Sequence, residues 1–159
     1  MIKNAFVIIL SLISLTVFGQ ATTNGSFENP TSPCPAALSA LSNATGWSDP
    51  YINPPNPGDT CSTSDIYNSC DLTGFLSVPG NLAGNEPAHT GNGYAGILVY
   101  EVAPIIGDQG WREYVQNQLT APLVAGETYC LSVWVSLADQ STYAISNFGV
   151  KFTNTQIAI

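Results

Sequence analysis

The stretch TYCLSVWVSLA, residues 128–138, carries an apolar side chain at every second position. In an extended chain Tyr129, Leu131, Val133, Val135 and Leu137 fall on one side, and Thr128, Cys130, Ser132, Trp134 and Ser136 on the other. A period of two in a run rich in β-branched and aromatic residues predicts a half-buried strand, with the first set as its core face. The second set is polar apart from Trp134 and Cys130, so Trp134 reads either as an exposed platform or as the lid of a smaller cluster under a loop. The preceding run REYVQNQLT, residues 112–120, repeats the theme by setting Val115 and Leu119 against Tyr114, Gln116 and Gln118. If both strands lie in one sheet, Tyr114, Gln116, Gln118 and Trp134 share its outer face.

Working outward from these two runs, no stretch beyond Gln20 sustains a helical period. Short alternating segments recur between clusters of Gly, Pro, Asn and Asp, at Gly25–Glu28, Thr45–Ser48, Tyr94–Glu101, Arg112–Thr120, Thr128–Ala138 and Asn147–Phe152. DPYINPPNPGDTCSTSDIYNSC, residues 49–70, reads as one long loop, because its prolines forbid a central strand. HTGNG, residues 89–93, reads as a tight turn that needs glycine for positive φ. Asn24-Gly-Ser and Asn43-Ala-Thr also read as turns. The expectation is an all-β chain, a sandwich of two antiparallel sheets around one core. Its length suits one domain, and no linker or internal repeat divides it.

The first residues, MIKNAFVIILSLISLTVFG, place Lys3 before an apolar run from Ala5 to Phe18 and end on a small residue. That is the form of a secretory signal peptide over residues 1–19, too short in its apolar part to span a bilayer, with the mature chain beginning at Gln20. The expected location is secreted or on the outer cell surface, with no membrane span after removal of the signal. Overall the chain has three basic residues against eleven acidic ones and a net charge of −8. Such a surface repels phosphate and excludes nucleic acid as a partner. In an oxidising compartment the four cysteines Cys34, Cys61, Cys70 and Cys130 predict two disulfides, and the residues leave all three connectivities open. They lack metal-site spacing, and His89 is the only histidine, so no metal and no cofactor are expected.

NGSFENP near the mature N-terminus, GW at 46–47, HTGNGYAGI, and WREYVQNQLTAPLVAGETYCLSVWVSLADQSTYAISNFGVKFT together carry a resemblance. The chain resembles the jelly-roll module at the front of gliding-motility-associated, type IX-secreted bacterial surface proteins, some of which carry an OmpA-like domain behind it. More distantly it is similar to galactose-binding-like jelly rolls of carbohydrate-binding modules. The resemblance implies a jelly-roll β-sandwich over residues 20–159, and a pairing of Cys34 with Cys70 that leaves Cys61 with Cys130. It also implies that the chain is a C-terminally truncated piece, since jelly rolls use about eight strands and six are read here. In the carbohydrate-binding modules a carboxylate near the first strand often holds calcium, but Glu28 alone cannot supply the six to eight oxygens of such a site.

Three functions follow as expectations. The first is binding of a glycan or cell-surface polymer through Tyr114, Gln116, Gln118 and Trp134, with Arg112 at the margin, because a flat ring meets sugar C–H groups while amides bond hydroxyls. The second is a structural spacer or adhesin module with no ligand of its own. The third, catalysis, is not expected: Glu101 and Glu113 are the carboxylates to consider, yet nothing in their surroundings is expected to raise an acid's pKa, and His89 lacks a nucleophile motif.

Overall fold

The computed structural model describes residues 21–31, 34, 37–50, 64–99 and 113–158. The signal segment 1–19, Cys61, Glu101 and Arg112 lie outside the described residues. The described chain is β-rich. It contains a short 3-10 helix, Leu41–Asn43, and six strands: β1 Trp47–Ser48, β2 Asp65–Asn68, β3 Gly80–Asn81, β4 Gly84–Asn85, β5 Gly93–Gly96 and β6 Gln116–Asn117. They form three two-stranded antiparallel sheets, β1 with β6, β2 with β5 and β3 with β4. Isolated bridges join Thr22 to Leu119 and Pro30 to Ala44.

The longest pairing, β2 with β5, sets Ile66 opposite Ala95 and Tyr67 opposite Tyr94, whose rings stack with centroids 5.1 Å apart. Ile66 is fully buried with Leu41, Ala40 and Ala44, and Phe27, Trp47, Ala95 and Val115 pack against this cluster. Full burial of Ile66 and Leu41 stabilises the fold by roughly 1.5–3 kcal/mol each. Polar groups hold the same region. Leu41 N donates to Ser64 O (3.1 Å), and Ser64 Oγ donates to Tyr114 O (3.0 Å), which joins the 3-10 helix, the start of β2 and the approach to β6.

Beyond β2 the chain turns around Asp71, whose carboxylate accepts from Thr73 N, Thr73 Oγ1 and Leu76 N. Burial opposes its charge, but hydrogen bonds from Thr73, Leu76 and Phe75 outweigh this and hold the carboxyl below the usual aspartate range. Leu76, folded in by this turn, is fully buried. Cys34 and Cys70 form a disulfide, the pairing the resemblance implied.

Several expectations are corrected here. Gly25–Glu28 is a turn and not a strand, because Asn24 and Phe27 both take positive φ and the Asn24 side chain closes the loop onto Asn29. Inside the segment read as one loop lies β2, where Ile66 and Tyr67 are buried. The β3–β4 hairpin was not anticipated. Thr128–Ala138 and Asn147–Phe152 form no strand, and every residue from 121 to 156 is exposed. Tyr129, Leu131, Val133, Val135 and Leu137 are therefore not a core face: their exposure runs from 49% to 60%. β6, the strand expected beside them, pairs with β1 instead, and no second sheet covers them among the described residues. Cys130 lies in this same stretch as an exposed free thiol, and its expected partner Cys61 lies outside the described residues.

Candidate functional site

Trp134 is the most exposed aromatic side chain among the described residues, at 75%. Its ring stacks on His89 with centroids 3.8 Å apart and planes 17° apart. One face of the indole is thus backed by imidazole, and so large an exposure leaves the opposite face and the edges to solvent. The two rings come from distant parts of the sequence, and a carboxylate fastens the turn near each.

His89 opens the turn to β5. There Gly91 has φ +69°, and a side chain would collide with the Glu28 carboxylate. Glu28 accepts from Asn92 N (2.7 Å), Asn92 Nδ2 (3.1 Å) and Gly93 N (3.3 Å). Gly93 is constrained by close approach, since a Cβ there would lie 2.6 Å from Phe27 O. The loop that delivers Glu28 is itself clamped. Phe27 stacks on Trp47 at 4.5 Å, and Trp47 Nε1 donates to Asn24 O (2.8 Å). NGSFE, GW and HTGNG, each uninformative alone, therefore meet in space as one support.

On the other side, the turn after Trp134 docks on the β3–β4 hairpin. Asp139 Oδ2 accepts from Asn85 N (2.8 Å), and Gln140 N donates to Ala83 O (3.0 Å). Ser141 N donates to Ala138 O (2.9 Å), closing the turn.

The residues expected to share one face are dispersed. Gln116 is half-buried, and its side-chain amide pairs with the backbone of Ile157, accepting from its N–H and donating to its carbonyl, both at 3.1 Å. Gln118 is exposed and lines a hollow of about 350 Å³ with Thr23, Gly46, Leu119 and Thr120. Tyr114 is exposed on the approach to β6. No hydrogen bond or ring contact among the described residues joins Trp134 to these three, because the 128–138 stretch does not pair with β6. The shared outer face is thus replaced by a platform of Trp134 and His89. The alternation around Trp134 left it either exposed or under a loop, and the role of Glu28 rests on a contact spanning 64 residues with no local signal.

A second hollow of about 370 Å³ lies between Ala21, Thr22, Leu119, Tyr129, Cys130 and Phe152. Two further carboxylates are engaged within the fold. Asp65 accepts from Ser39 N (2.7 Å), and Glu113, expected at the surface, is buried with its carboxylate accepting from Leu98 N (2.6 Å). Burial pushes the Asp65 carboxyl up to about 6, the Ser39 amide pulling it down and the Glu113 charge adding to the rise. Both groups tie loops to the body of the fold, and neither lines either hollow. Glu28 does not suit calcium: its oxygens are engaged by N–H donors, and no three metal-ligating side chains group together among the described residues. Among these residues no helix is long and apolar enough to cross a membrane.

No protein-family model, curated protein or solved structure matches the chain.

Proposed function

We propose that the chain is an exported, non-catalytic surface module that binds a glycan or cell-surface polymer through Trp134. The observation that carries this reading is an indole 75% exposed and backed by His89. Leaving that much apolar area in water is costly unless something stacks on it, and the C–H face of a pyranose ring has the matching shape. In this reading the antiparallel pairs and the clasped N-terminal loop belong to a jelly-roll sandwich of the galactose-binding-like kind. The Cys34–Cys70 bridge agrees with export, as does the signal-like segment.

A titration of the chain against a glycan array, followed by calorimetry on the hits, tests the reading. Stacking and a few hydrogen bonds made in competition with water predict a dissociation constant on the order of 0.1–1 mM. Trp134→Ala removes binding while costing no more than about 0.5 kcal/mol of stability, since no core cavity is opened. Unchanged affinity in that variant overturns the reading. A folded chain that binds no glycan leaves the spacer or adhesin module as the better description.

A further inference from the structure

Resting on that reading, we infer that the ligand of the Trp134 platform is an uncharged or amine-bearing saccharide, and that acidic polysaccharide is turned away. Both supports of the platform end in a carboxylate. Glu28 lies behind the His89 turn, and Asp139 closes the turn after Trp134 onto β4. Glu86 follows β4 directly, adding a third acidic side chain on that hairpin.

Opposing positive charge is scarce. The chain has three Lys and Arg residues against eleven Asp and Glu, a net charge of −8. A uronate or sulfated polymer laid across the indole would bring a negative charge at nearly every sugar toward these carboxylates, in a chain whose acidic residues far outnumber its basic ones. A neutral pyranose avoids that repulsion. An amino sugar gains from the carboxylates and from the quadrupole of the indole face.

Three β-1,4-linked hexasaccharides separate the cases by charge at constant size: one of N-acetylglucosamine, one of glucosamine and one of mannuronate. Each is titrated into the full chain by tryptophan fluorescence and calorimetry at 20 mM and at 300 mM salt. The neutral hexamer is expected to bind equally at both, and the cationic one at least as tightly at low salt. The anionic one is expected to bind at least about tenfold more weakly at low salt, with the gap closing at high salt as charges are screened. Asp139→Asn, whose side-chain oxygen can still accept from Asn85, narrows that gap about threefold.

Mannuronate binding equal to the neutral hexamer at low salt overturns the inference, and so does an unaltered gap in Asp139→Asn with the circular dichroism unchanged. If that equal binding is lost in Trp134→Ala, the glycan-binding reading stands and the charge selectivity alone falls. Failure of all three hexamers to bind removes both.

Discussion

Asp65 shows how one side chain sets a dependence on pH. Its carboxyl titrates near 6 in the fold against an ordinary 3.8. A folded-state value above the unfolded one means that the associated stability is full below pH 3.8 and is lost as pH rises through about 6. The chain is accordingly expected to melt at a higher temperature at pH 5 than at pH 7.5. Asp65→Asn keeps an acceptor for Ser39 N and removes the charge, so it flattens this profile between pH 4 and 7. It also gains about 1 kcal/mol at pH 7.5 once solvent screening of a half-exposed group is allowed for. A steeper profile in the variant, read by thermal melts across that range, would refute the assignment. Position by position the sequence was uneven as a guide. The positive φ of Gly91 could be read from local pattern, because turn chemistry acts within a few residues, whereas alternation left Trp134 either exposed or under a loop. The burial of Glu113 could not, since an adjoining arginine looks the same on a surface as beside a core.

Among the strands, β2 and β5 hold the longest ladder and carry most of the buried side chains. Hydrogen exchange is expected to find the amides within this pair the slowest in the chain, and those of residues 128–138 and 147–152 among the fastest. Slow exchange at Val133 or Val135 would show a pairing that the structure lacks. β2 escaped the sequence reading because DIYN is four residues long, follows a proline-rich run and offers only Ile66 and Tyr67 as apolar signal. The opposite error came from TYCLSVWVSLA, where a strong period of two described which residues share a side and said nothing about whether a neighbour would cover them. Alternation is a property of one segment, whereas a sheet is a property of two.

For the molecule as a whole, the stretch from 121 to 156 is exposed at every residue and carries many large apolar side chains, and between Thr128 and Val150 its only charged residue is Asp139. The native chain is therefore expected to bind an anilinonaphthalene dye. The double variant Leu131→Ser and Val133→Ser should lower that signal with a stability change within about 0.5 kcal/mol, as for other exposed positions. A fall in melting temperature of the size seen for core truncations would mean that these side chains are packed. Cys130 should be alkylated without denaturant, whereas Cys34 and Cys70 should not, and peptide mapping distinguishes them.

The clasp between the N-terminal loop and the rest of the fold has a consequence in time. Asn117 Nδ2 donates to Thr23 O and Thr120 N to Ala21 O, across separations of 94 and 99 residues. Such closures raise the contact order, and folding slows as contact order rises. A chain emerging from a ribosome or a translocation pore holds Ala21 and Thr23 without these partners until residues 117 to 120 have followed. The segment that leads into the platform's supporting loop is thus among the last parts to settle, and a chaperone that shields newly exported segments would act on it first.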